Sequence, residues 1–242
     1  MNTFTLLLIS GTSLGFWRVH QVSQKKERDS RMVDAIWIML GALLGARLAF
    51  VIAHANYFHL HPDKILAFWE GGLAWPGALM GTIIALILIS FYRSMNLSIL
   101  ADKMAVLILP VSTSLWLGGW ASGVAYGALL PEGTWYGINT IDAFGRMELR
   151  FPLQAIMAAG MVMGSALAEH ITRGKSAGVY SLGQFTVLTL LLLITSILRA
   201  DPQPMWVDWP VETWIAAILL ITSLISVLIH LKRSADKPDQ VE

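Results

Sequence analysis

Long apolar runs separated by short polar stretches dominate this chain. A helix needs about 20 mainly apolar residues to cross a hydrocarbon core of about 30 Å. Seven runs approach or reach that length: Thr3 to Val19, Val33 to His54, Leu73 to Tyr92, Met104 to Leu130, Pro152 to His170, Gly178 to Leu198 and Val211 to Leu231. The pattern predicts an all-α fold, a polytopic membrane bundle of seven transmembrane helices in one transmembrane domain over residues 1–242. The first run is short, and a tilted or partly interfacial helix is the alternative there.

Basic residues are divided unevenly between the two ends of the predicted helices. One side carries twelve of the 17 Lys and Arg residues: Arg18, Lys25, Lys26, Arg28, Arg31, Arg93, Lys103, Arg173, Lys175, Lys232, Arg233 and Lys237. The other side carries Lys64, Arg146, Arg150 and Arg199. The positive-inside rule places the richer side in the cytoplasm, so the N-terminus is predicted outside and the C-terminus inside. No positive charge precedes the first run, which therefore does not resemble a cleaved signal peptide.

Composition agrees with a membrane protein and excludes several kinds of chemistry. The chain is 55% hydrophobic and 14% charged, whereas soluble domains carry about 25% charged residues. The basic residues follow topology and form no nucleic-acid footprint, so no nucleic-acid partner is expected. No cysteine is present, which excludes disulfides and thiolate sites. The histidines His54, His59 and His61 lack further convergent ligands, so neither a metal site nor a cofactor is predicted.

Glycines recur at four-residue spacing inside the predicted helices. The sets are Gly41 and Gly45, Gly77 and Gly81, Gly119, Gly123 and Gly127, and Gly160 and Gly164. Small residues at this spacing let helix backbones approach closely, so these glycines are expected to pack helices together.

Arg47 is the one charge deep inside a predicted helix. It lies about 14 residues into the second apolar run, which corresponds to about 20 Å from the cytoplasmic end. A charge in a membrane helix costs about 3 kcal/mol unless a partner offsets it. Glu70, at the outer end of the third run, is a candidate partner. A structural ion pair, snorkelling to the outer surface and binding of an anionic lipid headgroup remain alternatives.

Two further arginines belong to the outer half of the predicted bundle. Arg150 precedes Phe151 and Pro152 at the start of the fifth run, where an open helix N-terminus favours an anion. Arg199 follows the sixth run, where a cation also suits the C-terminal end of the helix dipole. Together with Arg47 they predict a phosphate-binding pocket that opens to the outer leaflet.

Several segments resemble the bacterial prolipoprotein diacylglyceryl transferases. The run from Asp34 to Val51, with Gly41, Gly45 and Arg47, and the run Phe68-Trp69-Glu70-Gly71-Gly72 through Gly81 are similar to that family's second and third spans. Arg150-Phe151-Pro152-Leu153-Gln154 resembles its Arg-aromatic-Pro-x-Gln motif, and Leu198-Arg199-Ala200-Asp201-Pro202 resembles its Arg-Glu-Pro turn. The resemblance implies lipid headgroup binding by Arg47, Glu70, Arg150, Gln154 and Arg199. It also implies transfer of a diacylglyceryl group from phosphatidylglycerol to the cysteine thiol of a lipoprotein precursor.

Other positions depart from that family's pattern. Pro76-Gly77-Ala78 stands where the family has His-Gly-Gly. Leu115 to Gly119 and Ser122 to Val124 replace its Gly-Arg-Leu-Gly-Asn and Asn-Gly-Glu stretches, and Leu192 and Ser196 stand at its sixth-span arginine and glutamate. The tyrosine motif of the first span has no counterpart. The family's catalytic His, Arg, Asn and Glu positions are thus replaced, and no catalytic residue is assigned.

Two functions follow from this combination of retained and replaced residues. The first is a diverged, catalytically impaired relative that keeps an outer-leaflet phospholipid pocket, with phosphatidylglycerol as its lipid, and acts as an accessory subunit of another membrane protein or complex. The alternative is an active transferase whose site is rebuilt from Arg47, Glu70, Tyr126, Arg150 and Arg199. A transporter is disfavoured because charge at mid-span is nearly absent. The expected location is the bacterial cytoplasmic (inner) membrane, as a multi-pass protein.

Overall fold

The structure, a computed structural model, describes residues 3–68, 71–142 and 144–235. It is mostly helical. The α-helices are α1 (Thr3–Val22), α2 (Arg28–Ala53), α3 (Ala55–Leu60), α4 (Trp75–Tyr92), α5 (Leu97–Met104), α6 (Ile108–Ser122), α7 (Leu153–Thr172), α8 (Val179–Leu198) and α9 (Val211–Ala235). Short 3-10 helices cover Pro62–Lys64 and Ala105–Leu107. The strands are β1 (Ile138–Ile141), β2 (Met147–Arg150), β3 (Met205–Trp206) and β4 (Trp209–Pro210).

Six helical stretches among the described residues are long and apolar enough to cross a membrane. They are Arg28–Ala53, Trp75–Tyr92, Leu97–Ser122, Leu153–Thr172, Val179–Leu198 and Val211–His230. Each coincides with a predicted run, which confirms a helical protein with several apolar spans. Helix α1 has 20 residues but is not among the six, so a count of seven stays a prediction, as does the orientation of the termini.

Contacts divide the chain into two compact units, which are described separately. The two-helix unit is Val19–Ala101, and the bundle unit combines Met1–Arg18 with Asp102–Glu242. The sequence-based expectation of a single transmembrane domain stays a prediction.

In the two-helix unit, α2 and α4 pack closely through glycines. A Cβ added to Gly45 would lie 2.3 Å from the Gly77 carbonyl oxygen, and one added to Gly81 would lie 2.0 Å from that of Gly41. Gly41 thus faces Gly81 and Gly45 faces Gly77, which makes the two helices antiparallel. The predicted packing role of these four glycines is confirmed, because any side chain would force the backbones apart.

Ion pairs join α2 and α4 where α2 begins and α4 ends. Asp34 is almost fully buried and accepts hydrogen bonds from Arg31 Nη1 at 3.0 Å and from Arg93 Nε at 2.6 Å. Arg31 also contacts Glu27 at 3.3 Å. Two of the residues counted in the basic-side bias, Arg31 and Arg93, are therefore paired locally with carboxylates.

In the bundle unit, helices also pack through small residues. A Cβ on Gly11 of α1 would lie 2.1 Å from Ser114 Oγ of α6, and one on Gly164 of α7 would lie 2.6 Å from Val187 of α8. Thr186 of α8 donates a hydrogen bond to Ser223 of α9 at 3.2 Å. The predicted packing role of Gly164 is thereby confirmed.

The fourth predicted span ends earlier than expected. Gly123 has φ = 66°, a left-handed conformation that terminates α6 after Ser122, so the predicted helix to Leu130 is wrong over its last eight residues. A Cβ on Gly123 would lie 2.6 Å from the Asp142 carbonyl oxygen. Gly127 lies beside the Phe151 carbonyl instead of a helix. Gly123 therefore ends a helix, and Gly127 lies in an extended segment that is hydrogen-bonded to neighbouring loops. The prediction that these two glycines pack helices together is wrong.

Two small antiparallel sheets interrupt the all-α pattern. Strands β1 and β2 pair with Ile138 opposite Arg150 and Ile141 opposite Met147. Strands β3 and β4 form a shorter hairpin between α8 and α9, whose turn residues Val207 and Asp208 both have positive φ. The sequence analysis assigned neither hairpin, since strands of two to four residues carry almost no periodicity.

Candidate functional site

Arg47 of the two-helix unit is 5% exposed and is held by backbone carbonyls. Its Nε donates to Ile65 O at 2.9 Å, and Nη2 donates to Lys64 O at 2.6 Å. Its Nη1 donates to Gly72 O at 3.2 Å and to Gly71 O. A guanidinium carries five N–H groups, so these bonds engage most of them. The side chain ties the loop between α3 and α4 to helix α2.

Aromatic rings surround the same guanidinium. Its Cζ lies 5.8 Å from the ring centre of Phe50, 5.3 Å from Phe58 and 6.0 Å from Phe68. Carbonyl dipoles and ring faces both stabilise a buried cation without neutralising its charge. Glu70, the predicted partner, lies outside the described residues. Among the described residues, backbone carbonyls supply most of the hydrogen bonds that offset the burial of Arg47.

In the bundle unit, the segment of residues 123–130 after α6 connects two of the predicted arginines. Leu129 forms an antiparallel bridge with Arg150, and Gly127 forms one with Arg199. The Ala200 N–H donates to the Tyr126 carbonyl at 2.8 Å. The chain that enters α7 and the chain that leaves α8 are thus hydrogen-bonded to the same extended segment, which brings Arg150 and Arg199 to one end of this unit.

Arg150 stacks on an aromatic ring and faces two carboxylates. Its Cζ lies 4.4 Å from the centre of the Tyr126 ring, and Tyr126 is itself buried. Arg150 Nη2 donates to Glu148 Oε2 and, at 3.5 Å, to Asp142 Oδ2. Its Nε is buried and finds no hydrogen-bond partner among the described residues. One guanidinium donor is thereby left for a ligand or water.

Asp142 anchors the β1–β2 hairpin next to Arg150. Its Oδ1 accepts the backbone N–H groups of Phe144 at 2.8 Å and Arg146 at 2.9 Å, and its Oδ2 lies 3.0 Å from Arg146 Nη2. Burial opposes ionisation of this carboxyl, but the hydrogen bonds from Arg146 and Phe144 and the charge of Arg146 outweigh it, so the pKa of Asp142 lies below its usual 3.8. The carboxylate form is therefore the one that shapes the hairpin.

Gln154, in the first turn of α7, is 1% exposed. Its Nε2 donates to the Val124 carbonyl at 3.1 Å, so its side chain reaches the same segment that Arg150 contacts through Tyr126. Its Oε1 is buried and has no hydrogen-bond partner within the described part of the chain. An unpaired acceptor on Gln154 thus accompanies the unpaired donor on Arg150.

Arg199 is fully engaged by acidic side chains. Its Nε donates to Asp201 Oδ1 at 2.6 Å, its Nη2 donates to Asp201 Oδ2, and its Nη1 donates to Glu212 Oε2 at 2.9 Å. Burial opposes the charged form, but the carboxylates of Asp201 and Glu212 outweigh it and raise the pKa of Arg199 above its ordinary value. Three guanidinium groups at this end of the bundle unit, with Arg146 included, face four carboxylates.

The structure thus brings Arg150, Gln154 and Arg199 to one segment, whereas Arg47 belongs to the other unit. Convergence of all three arginines stays a prediction. The sequence analysis missed the carboxylates Asp142, Glu148, Asp201 and Glu212. Two of them had a usable signal: Glu148 lies two residues before Arg150 on one strand, where alternate side chains share a face, and Asp201 lies two residues after Arg199.

Two of the three clustered histidines, His54 and His61, have ordinary local contacts. His54 and His61 each pair a ring nitrogen with a carbonyl four residues earlier, at 2.9 Å and 3.1 Å. The ring of His61 also stacks on Tyr57 with centroids 4.5 Å apart. Within the described ranges, no group of three His, Asp or Glu residues is arranged to hold a metal ion.

Comparison with known proteins identifies the family. A model of the prolipoprotein diacylglyceryl transferase family matches residues 1–229. The chain belongs to this family. A phosphatidylglycerol–prolipoprotein diacylglyceryl transferase of Symbiobacterium thermophilum is 29% identical, over 98% of this chain and 91% of its own length. The enzyme of the same name from Lactococcus lactis subsp. lactis is 25% identical over 93% of this chain and 88% of its own, and that of Rhodospirillum rubrum is 29% identical over 83% and 67%.

Four positions at which the sequence is expected to depart from the family's motifs lie within the described residues. Pro76 lies in the first turn of α4, and Gly77 packs on Gly45. Ser196, aligned above with the sixth-span glutamate, is 2% exposed and donates its hydroxyl to the Leu193 carbonyl at 2.8 Å. Leu115 is largely exposed on α6. These four side chains offer no ionisable group for acid–base chemistry.

Proposed function

We propose that this member of the family binds an anionic phospholipid, phosphatidylglycerol, in the outer leaflet and has lost most of the transfer reaction for which its relatives are named. In this proposal the headgroup contacts Arg150 and Gln154 in the bundle unit, with Arg47, Glu70 and Arg199 as further candidates. The chain then serves as an accessory subunit of a membrane complex.

One observation carries the lipid part of the proposal. Arg150 Nε and Gln154 Oε1 are both buried and lack hydrogen-bond partners among the described residues. Leaving a buried polar atom unpaired costs about 1–3 kcal/mol, so a bound group that satisfies both is favoured. Phosphatidylglycerol offers phosphate oxygens that accept from Nε and glycerol hydroxyls that donate to Oε1. A headgroup of this kind supplies the acceptor that Arg150 Nε lacks and the donor that Gln154 Oε1 lacks, without requiring a net positive pocket.

Loss of the reaction is inferred from the surrounding charges. A thiol nucleophile needs a base, and a departing glycerol phosphate needs cations free to stabilise its charge. The carboxylates next to Arg150 and Arg199 are already paired with guanidinium groups. The resemblance to the family further implies that proline, leucine and serine stand in this chain at positions where the family has ionisable or amide side chains.

Native mass spectrometry in a mild detergent tests the lipid site. The purified protein is expected to retain phosphatidylglycerol in preference to phosphatidylcholine, and Arg150→Gln and Gln154→Leu should each reduce that retention. The matched control is Arg173→Gln, because Arg173 is 78% exposed and only weakly paired with Glu169. A double variant, Arg47→Leu with Glu70→Leu, tests the other unit. Unchanged retention in all these variants would overturn the headgroup site.

The second candidate function is the active transferase. Its support is the similarity over 98% of the chain to a relative named for that activity, together with the buried Tyr126 ring beside Arg150. A transfer assay separates the two proposals: purified protein is mixed with phosphatidylglycerol and a lipoprotein-precursor peptide, and thioether-linked diacylglycerol on the peptide is measured. Product formation that Arg150→Gln abolishes would establish the transferase and reject the impaired relative.

We also propose that the chain has seven spans in the bacterial cytoplasmic membrane, with its N-terminus outside. The support is the uneven division of basic residues and the six long apolar helices. Because the chain has no native cysteine, single cysteines report topology cleanly. Cysteine at Lys26, Arg93 or Lys175 should be protected from an impermeant thiol reagent in intact cells, whereas cysteine at Trp135 should be labelled. Labelling at Lys175 would contradict the orientation.

A further inference from the structure

The β1–β2 hairpin of the bundle unit has inverted polarity. Residues paired across an antiparallel sheet share a face, so the register puts Ile138, Thr140, Glu148 and Arg150 on one face and Asn139, Ile141, Met147 and Leu149 on the other. Thr140 and Arg150 are buried. Met147, on the apolar face, is 68% exposed. The buried residues of the first face are thus polar, whereas the second face, apolar except for Asn139, carries the exposed Met147.

The tip of the hairpin continues this pattern. Phe144 is 70% exposed, and the Cζ of Arg146 lies 5.3 Å from the centre of its ring. The Arg146 side chain is 63% exposed, while its guanidinium still contacts the buried Asp142. The exposed ring of Phe144 therefore lies beside the largely exposed guanidinium of Arg146. An aromatic ring next to a cation is typical of residues at a membrane–water boundary.

The hairpin is attached directly to a membrane-length helix. Strand β2 ends at Arg150 and α7 begins at Leu153, so only two residues separate the hairpin from an apolar helix of 20 residues. The loop between α8 and α9 is bonded to the same end of the unit through Ala200 and Tyr126. That loop exposes Trp206 and Trp209. Both loops at this end of the bundle unit therefore present large apolar side chains.

We propose that the apolar face of the β1–β2 hairpin inserts into the boundary between headgroups and acyl chains of the leaflet at this end of the bundle unit. Under the orientation proposed above this is the outer leaflet. A two-stranded hairpin is marginally stable in water on its own, and an exposed apolar patch marks a surface that is covered in use. Lipid is the occupant that the hairpin's attachment to α7 and the Phe144–Arg146 pair favour, since the ring enters the boundary while the guanidinium reaches lipid phosphates.

Spin labelling of single cysteines in the full chain tests this insertion. Phe144→Cys and Met147→Cys place labels on the tip and on the apolar face, and the matched control Glu132→Cys places one on the exposed polar turn before β1. The protein is reconstituted in bilayer discs of phosphatidylethanolamine and phosphatidylglycerol. Collisions of each nitroxide with oxygen, which concentrates in lipid, are compared with collisions with a water-soluble nickel chelate.

The ratio of oxygen to nickel collisions should be several-fold higher at positions 144 and 147 than at position 132. Equal ratios at the three positions would show a hairpin in water and overturn the proposal. Exclusion of both reagents at 144 and 147 would show cover by protein and would also overturn it. Both labelled sites are exposed, so folding should persist, and circular dichroism of each variant checks that it does. The result does not depend on whether the headgroup site of Arg150 and Gln154 exists.

Discussion

Two arginines of this chain, the buried Arg47 in the two-helix unit and the partly buried Arg199 in the bundle unit, are stabilised in different ways. Arg47 donates to the carbonyls of Lys64, Ile65, Gly71 and Gly72 and lies among three aromatic rings. Arg199 donates to the carboxylates of Asp201 and Glu212. Carbonyl dipoles leave a full positive charge in place, whereas carboxylates cancel it.

The two environments have different consequences. Arg47 organises a loop, whereas the charge of Arg199 is neutralised by neighbouring carboxylates. Among the described residues, the hydrogen-bond partners of Arg47 are backbone carbonyls. Substitution of a partner's side chain therefore does not remove the bond, and the loop depends on the guanidinium itself. The partners of Arg199 are side chains, and an ion pair with little solvent access can often be replaced by packed apolar residues. Arg150 stands between these cases, since carboxylates face one end of its guanidinium while its Nε remains unpaired within the described residues.

The largest expected effect tests the Arg47 side of this comparison. Arg47→Met should destabilise the protein by about 3 kcal/mol or more, because several buried carbonyls lose donors that carry charge. The midpoint of thermal unfolding in detergent measures the change. Arg173→Met, at an exposed position, is the matched control and should leave the midpoint unchanged. Equal stability of the two variants would mean that the loop does not depend on Arg47.

A double variant tests the Arg199 side. Asp201→Leu alone should cost about 2 kcal/mol, because Arg199 keeps only Glu212 as a partner. Arg199→Met combined with Asp201→Leu should recover part of that loss, since an apolar pair needs no charge compensation. The same unfolding assay compares the single and double variants. If the double variant loses more stability than the two single variants lose together, apolar residues do not replace the ion pair of Arg199. The contrast with Arg47 would then be lost.

A smaller effect is expected at Arg150. Glu148→Gln weakens the carboxylate contact of Arg150 and should raise retention of phosphatidylglycerol about fivefold, which corresponds to about 1 kcal/mol. Native mass spectrometry gives the retained fraction. Glu132→Gln removes the same charge from an exposed turn and should change little. If both variants raise retention equally, general electrostatics accounts for the effect and a local influence of Glu148 on lipid binding by Arg150 is ruled out.

The smallest effect concerns pH. The pKa of Asp142 is lowered in the folded protein, so its contribution is fully present above its unfolded pKa of about 3.9 and is lost as pH falls through the lower folded value. Stability of the hairpin should therefore not change between neutral pH and about pH 5 on account of this group. The mobility of a spin label attached at Met147→Cys reports the stability of the hairpin. Asp142→Asn should increase mobility at neutral pH, and a transition near neutral pH would contradict this assignment.

Sequence patterns were sufficient for the parts of the fold that depend on local periodicity. Runs of apolar residues predicted the long helices, and the four-residue spacing of Gly41 with Gly45 and Gly77 with Gly81 predicted their close packing. Both signals are local, because a helix satisfies its own backbone hydrogen bonds in an apolar setting. The residues resembling family motifs were also readable from sequence, since their order survives along the chain.

The tertiary structure alone decided which groups compensate the buried charges. Gly123 ends α6 and releases the segment that bonds to Arg150 and Arg199, and no periodic pattern marks that change of direction. The carbonyl partners of Arg47 are backbone atoms, which every residue possesses, so composition cannot distinguish them. Partners of a buried charge are selected by position in space, and positions far apart in sequence meet only after the helices have packed.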